Sequence, residues 1–192
     1  MKELHDAIKT FGRGLGKDIV KVDMFLNHRL DTSLIFQMGQ ALAVEFRDER
    51  PTMVMTVEAS GIALALAAAH YLGDLPVVYA KKSKTVVQND EMAQARVYSF
   101  THKQENIIQV DKKYVPVGSR VLIVDDFLAD GQAVHGMMEL CGALSAKVVG
   151  VGIGVEKGFQ PGGMNLRAQG VHLKSLAVVT GIEDGKILLA DD

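Results

Sequence analysis

Arg120-Val121-Leu122-Ile123-Val124-Asp125-Asp126-Phe127-Leu128-Ala129-Asp130-Gly131-Gln132-Ala133-Val134-His135-Gly136 is the stretch around which the rest of the chain is arranged. Val121 to Val124 are four consecutive apolar residues. They read as a strand buried on both faces, the kind found in parallel sheets. Asp125 and Asp126 are expected to stop that strand. Adjacent carboxylates at the end of a buried strand are costly unless they face a solvated site, and open α/β sheets bind ligands at that edge. Beyond the acids, Val134, Met137, Met138 and Cys141 repeat at helical spacing, with Leu144 continuing the face. The unit is therefore strand, acid pair, small loop, helix.

Gly131 and Ala133 keep the loop free of bulk. Amides at a helix N-terminus carry partial positive charge and suit a phosphate. An acid pair suits ribose hydroxyls or, through water, Mg²⁺. A strand ending in two aspartates also occurs in phosphoacceptor receiver domains, so the acids alone leave both readings open.

Working outward, the same alternation recurs. Leu4, Ile8 and Phe11 fall on one face of a first helix, and Ile19 to Val22 read as a short strand. Asp31-Thr32-Ser33 offer N-caps for a helix to about Phe46, with Leu34, Ile35, Met38, Leu42 and Phe46 inward. Met53 to Val57 is a central strand, Glu58-Ala59-Ser60-Gly61 a tight turn, and Ile62 to Tyr71 an Ala-rich helix closed by Gly73. Pro76 to Ala80 reads as a strand that ends in Lys81-Lys82-Ser83-Lys84. Arg96 to Thr101 and Asn106 to Val110 alternate as two antiparallel strands. Lys147 to Val155 is a strand, residues 156–163 a loop leading to a short helix, and Val171 to Val179 and Ile187 to Ala190 are the last strands. Alternating strands and helices predict an α/β fold, a parallel twisted sheet flanked by helices. The chain is expected to be one domain over residues 1–192, with residues 1–30 and about 156–192 forming a small cap over the carboxyl edge.

With 21 basic and 23 acidic residues among 192, the formal charge is −2. That balance does not fit a protein that coats nucleic acid or a membrane surface. The longest apolar run, Ile62 to Ala69, is too short to span a bilayer. The single cysteine, Cys141, lies on an apolar helix face, reads as a core thiol rather than a nucleophile, and permits no internal disulfide. With Met-Lys-Glu-Leu-His-Asp at the start and no apolar signal core, a cytoplasmic location is expected.

The stretch from Val121 to Ala133 resembles the phosphoribosyl pyrophosphate (PRPP) signature of type I phosphoribosyltransferases. More closely, the chain is similar to the bacterial xanthine phosphoribosyltransferases. The stretches that carry this are Val20-Lys21-Val22-Asp23, Phe25-Leu26-Asn27-His28, Val57-Glu58-Ala59-Ser60-Gly61-Ile62, Val97-Tyr98-Ser99-Phe100-Thr101, Asp125-Asp126-Phe127-Leu128-Ala129, Gly131-Gln132-Ala133 and Glu156-Lys157-Gly158-Phe159-Gln160-Pro161-Gly162. Most relatives carry Thr or Ser where Ala133 stands.

The resemblance implies transfer of a phosphoribosyl group from PRPP to a purine nitrogen, with Mg²⁺ bound through PRPP rather than directly by the protein. Ala129, Asp130, Gly131, Gln132 and Ala133 would cradle the 5′-phosphate, and Asp125 and Asp126 would accept the ribose hydroxyls beside the reacting C1′. Glu58, Ala59, Ser60 and Gly61 would form the pyrophosphate turn, with Lys81, Lys82 and Lys84 as its cations. A Lys-rich loop such as this is otherwise an ordinary solvated surface. In the family a basic residue here reaches the partner subunit's pyrophosphate, which implies a homodimer and makes residues 83–95 a lid candidate. Val20, Asn27, Lys157 and Phe159 would line the base, although Lys157 alone reads as surface and Asn27 as a turn former. Asp130 departs from what a phosphate loop needs: at about 4 Å like charges repel by roughly 1 kcal/mol in water and about 4 kcal/mol at an effective dielectric near 20.

Two other classes stand beside the enzyme. A PRPP-sensing regulator of this fold would carry an added DNA-binding segment, and the N-terminus shows no basic stripe. A receiver module would place its acid pair after the first strand, not beyond residue 120. Guanine, hypoxanthine and adenine remain as other purine acceptors.

Overall fold

Residues 1–83, 91–99 and 104–190 are described by the structure, a computed structural model. The quoted stretch forms β7 (Arg120–Leu128) and opens α4 (Gln132–Ala143). Around it run α1 (Lys2–Phe11), β1 (Arg13–Leu15), β2 (Ile19–Lys21), α2 (Thr32–Phe46), β3 (Met53–Val57), α3 (Gly61–Tyr71), β4 (Val77–Ser83), β5 (Met92–Ser99) and β6 (Gln104–Asp111). The chain continues through β8 (Lys147–Lys157), α5 (Gly162–Ala168), β9 (Leu173–Glu183) and β10 (Lys186–Leu189).

Among the described residues, eight strands form one sheet in the order β10-β9-β8-β7-β3-β4-β6-β5. The five strands from β9 to β4 run parallel, and antiparallel neighbours close both sides. Side chains of a strand alternate between faces, and β7 shows this directly. Leu122 and Val124 join a core with α1, α2 and α3, whereas Val121 and Ile123 join another with α4, β5 and β6. Because both faces are covered, β7 needs an apolar residue at every position from Val121 to Val124.

Local chemistry sets the helices. The Asp31 carboxylate caps α2 by accepting the Leu34 amide at 3.0 Å. Leu34, Ile35, Met38, Leu42 and Phe46 are all buried, as their spacing predicts. Cys141 is buried on α4 with its Sγ 3.8 Å from Met55 Sδ, and burial pushes its thiol up to about 12. In α1, Leu4, His5 and Ile8 turn inward. Phe11, expected on the same face, is exposed, since the helix ends there and Gly12 turns the chain out into β1.

Four boundaries depart from the sequence reading. The acids do not stop β7, which pairs with β8 through Asp125↔Ile153 and on to Leu128↔Glu156. Lys81 and Lys82 are not a loop but the end of β4, where it leaves β3 and pairs antiparallel with β6. Glu156 and Lys157, expected in a loop, complete β8. The C-terminal part of the expected cap is the edge of the main sheet, because β9 pairs with β8 and β10 with β9. Among the described residues only the β1–β2 hairpin forms a separate sheet, and it meets that edge where the Gly14 amide donates to the Gly185 carbonyl at 2.9 Å.

Candidate active site

The parallel order brings the carboxyl ends of β3, β4, β7 and β8 to one edge. There Asp125, Asp126 and Glu156 are three of the few buried charged side chains, each 3–5% exposed. A buried carboxylate needs donors or a proton, and the three meet that need differently.

Asp126 is met by two distant segments. Ser60, in the turn after β3, donates its hydroxyl to Oδ1 at 3.0 Å. Asn27 donates its side-chain amide to Oδ2 at 3.4 Å. Asn27 ends a single π-helical turn, Asp23–Asn27, whose Phe25 and Leu26 are buried and leave Asn27 itself exposed. Asp125 lies against Gly61 at the start of α3, and its Oδ1 accepts the Asp126 amide at 3.0 Å. Burial first, and the neighbouring Asp126 charge second, hold the Asp125 pKa well above the usual carboxylate value; Lys82 opposes the shift weakly. The sequence treated the two acids as equivalent, and the structure does not: Asp126 faces donors and Asp125 is sequestered.

The expected phosphate loop, Ala129 to Ala133, joins β7 to α4. Gly131 sits at φ +89°, a backbone that favours glycine. The Asp130 carboxylate folds back and accepts the Gln132 amide at 3.1 Å. It therefore engages a loop amide instead of projecting into open solvent. Ala129, Asp130, Gln132 and Ala133 are partly exposed and Gly131 is buried.

In the expected pyrophosphate turn the Glu58–Ala59 peptide is cis. The Glu58 carboxylate accepts the Lys82 amide at 2.5 Å, tying the turn to β4. Ala59 is exposed and Ser60 partly so. Lys81 and Lys82 are exposed, and only Lys82 is near enough to act on Asp125. Lys84 lies outside the described residues, as do residues 84–90 of the lid candidate; its ends, Ser83 and Met92 to Ala95, belong to β4 and β5.

The four residues expected around a base are spread along the neighbouring edge. Lys157 donates its ammonium to the Asp18 carbonyl at 2.9 Å and stands 5.9 Å from the centre of the Phe127 ring. Burial lowers its pKa, against which the Asp18 and Asp130 charges act. Val20 is buried in β2 opposite Gly14. Phe159 is half-buried and packs on the core shared with α2. It is Phe127 that stands beneath Lys157. Its position directly after the acid pair was the available signal.

The sequence reading also missed Arg167 and Ser175. Glu156 accepts both Arg167 Nη1 and Nη2 at 2.7 Å and the Ser175 hydroxyl at 2.5 Å. Burial would raise the Glu156 pKa, but the hydrogen bonds from Arg167 and Ser175 outweigh it, and the net shift is downward. This acid holds structure and is not poised to take a proton.

The arrangement offers an acid with donors on both sides, a small-residue loop at a helix start, a second turn on the adjacent strand and a half-buried ammonium over an aromatic ring. It suits a ligand that is anionic at two places and planar at a third. The phosphoribosyl transferase domain model matches residues 30–162. A xanthine phosphoribosyltransferase from Limosilactobacillus fermentum is 46% identical over 187 residues, covering 97% of this chain and 95% of the relative. One from Bifidobacterium longum subsp. infantis is 45% identical over 189 residues, covering 97% and 98%. Among solved structures, an adenine phosphoribosyltransferase from Rhodothermus marinus superposes with a TM-score of 0.74 at 21% identity over 93% of this chain and all of that one. The enzyme from Giardia lamblia, complexed with 9-deazaadenine, gives 0.74 at 18% identity over 91% and 96%. At such identities the structural likeness shows the fold alone.

Proposed function

The chain belongs to the phosphoribosyl transferase family, and from that premise we propose that it transfers the 5-phosphoribosyl group of PRPP to xanthine. The products are xanthosine 5′-monophosphate and pyrophosphate. The observation that carries this reading is the convergence of Asn27 and Ser60 on Asp126, three residues to which the reading gives base, diphosphate and ribose roles.

In this reading the loop Ala129 to Ala133 receives the 5′-phosphate on its amides, with Asp130 turned back onto Gln132. Asp126 exchanges its protein donors for ribose hydroxyls. As the bond from C1′ to pyrophosphate lengthens, positive charge grows on the sugar beside that carboxylate and is stabilised by it. Lys82 and the turn at Ser60 take the growing negative charge. Lys157 leaves the Asp18 carbonyl for a xanthine carbonyl or the xanthine anion, while Asn27 donates to the other carbonyl. Phe127 and Val20 supply the apolar walls.

Among the described residues, no group of three or more His, Cys, Asp or Glu side chains is placed to hold a metal ion by itself. Of the two acids it is Asp126 that would face, through water, a Mg²⁺ arriving on PRPP, and such an ion would stabilise the leaving pyrophosphate. A homodimer in the cytoplasm, with exposed Lys81 reaching toward the partner's site, belongs to the same proposal. No helix among the described residues is long and apolar enough to cross a membrane.

The test is pyrophosphate release from PRPP and Mg²⁺ with xanthine, guanine, hypoxanthine and adenine in turn. Xanthine is expected to give the highest specificity constant. Release that no base stimulates would support the sensing role instead.

Base choice is expected to follow Lys157. Lys157→Ala should lower the xanthine-to-guanine ratio of specificity constants by about ten- to a hundredfold, as for the loss of a charged hydrogen bond in a half-buried site. The KM for PRPP should move little. Asn27→Asp is expected to be less selective than Lys157→Ala. It would set a second carboxylate against Asp126 at the 3.4 Å contact, raising the proton affinity of the pair. That variant should lose PRPP turnover as well as base choice. An unchanged ratio in Lys157→Ala would mean the base is read elsewhere.

A further inference from the structure

The first turn of α5 carries no side chain where it touches its neighbours. A Cβ on Gly163 would lie 1.9 Å from the Glu156 carboxylate. A Cβ on Gly162 would lie 2.4 Å from the Ala129 carbonyl oxygen and 2.7 Å from the Gly131 nitrogen. The Gly162 amide donates to that same carbonyl at 3.1 Å. This turn is therefore held between the Glu156 carboxylate on one side and, backbone to backbone, the loop Ala129 to Gly131 on the other.

What fixes the turn is Arg167, at the other end of α5. Its guanidinium grips Glu156 with two parallel hydrogen bonds, a geometry only arginine supplies. Glu156 is itself locked, being 3% exposed and also bonded to Ser175 on β9. With no flexible side chain between them, a shift of α5 passes to the loop undamped. We infer that Arg167 is a positioning residue for phosphate binding: through Glu156 and α5 it holds the Ala129 to Gly131 loop in the register that accepts the 5′-phosphate.

The inference rests on the reading of that loop as the phosphate site. Its test uses ribose 5-phosphate as the probe, measured by calorimetry, so that binding is read without turnover. Arg167→Ala is expected to weaken ribose 5-phosphate and raise the KM for PRPP by about ten- to a hundredfold, the range for a small misplacement of binding groups. The kcat and the KM for xanthine should stay within about threefold of the wild type, well below that range. Arg167→Lys keeps the charge but not the two-pronged grip, and should fall between. Should Arg167→Ala fail to fold, Arg167→Lys carries the test alone. Unchanged ribose 5-phosphate affinity in the folded variants overturns the inference. So does an equal loss in kcat, xanthine and phosphate binding, which marks a merely structural role. If the wild type itself does not bind ribose 5-phosphate, the phosphate reading of the loop falls and the inference falls with it.

Discussion

Asp126→Asn is expected to lower kcat by about a hundred- to a thousandfold, the scale on which a preorganised electrostatic group acts in a transition state. The fold should survive, because the amide is isosteric with the carboxylate. The reason lies in what the carboxylate faces. Ser60 and Asn27 donate to its two oxygens, at 3.0 and 3.4 Å. A neutral amide offers one acceptor and turns a donor toward one of them. It also leaves the growing positive charge on the sugar without its counter-charge. Steady-state kinetics beside a thermal melt checks this, and wild-type turnover would remove Asp126 from the mechanism.

Asp125→Asn should behave differently. Burial first and Asp126 second raise its folded pKa. Below the unfolded carboxylate value, about 3.9, both states are protonated and the group does not disfavour folding. As pH rises from there through the raised folded value, the unfolded chain gives up its proton and the folded one resists, so stability is lost. Asparagine has no proton to lose. Asp125→Asn is therefore expected to melt above the wild type at neutral pH, with the gap closing toward acid. A gap that persists below pH about 3 would show that packing, not charge, explains it.

The second large effect is expected at Gly131→Val. The position has φ +89°, where a β-branched residue costs about 1–3 kcal/mol. Its Cβ would also sit 3.3 Å from the Gly162 Cα. The loop must move, and the KM for PRPP should rise by about a hundredfold, the cost of displacing binding groups by roughly 1 Å. Asp130→Asn is the contrasting change. It keeps an oxygen for the Gln132 amide and removes a like charge worth roughly 1 kcal/mol at about 4 Å in water. The KM for PRPP should fall or hold, most visibly at low salt. A strong loss in Asp130→Asn would give that carboxylate a positive role.

The parts legible in the sequence are those fixed by local pattern. Val121 to Val124 announces a two-faced strand, and Asp31 a helix start. The departures come from partners far along the chain. Lys81 and Lys82 read as a loop because charge interrupts an apolar run. They are strand because β4 changes neighbour there, and an exposed antiparallel edge tolerates lysine. Glu156 reads as loop because a lone acid does not belong in a core. Its partners, Arg167 and Ser175, lie 11 and 19 residues on, at no spacing that periodicity detects. The inequality of Asp125 and Asp126 is likewise invisible in two adjacent letters, since it depends on Gly61, Ser60 and Asn27.

Cys141 gives the molecule an internal clock. Only a thiolate reacts with a disulfide reagent, and this thiol, buried and pushed up to about 12, offers none while the chain is closed. Each modification thus requires an opening of α4 away from Met55. Being the sole cysteine, it scores each molecule once. A ligand that binds only the closed chain slows the count by one plus its concentration over its Kd. Occupancy at the Asp126 edge can then be timed at a sulfur toward the far end of α4 from the loop.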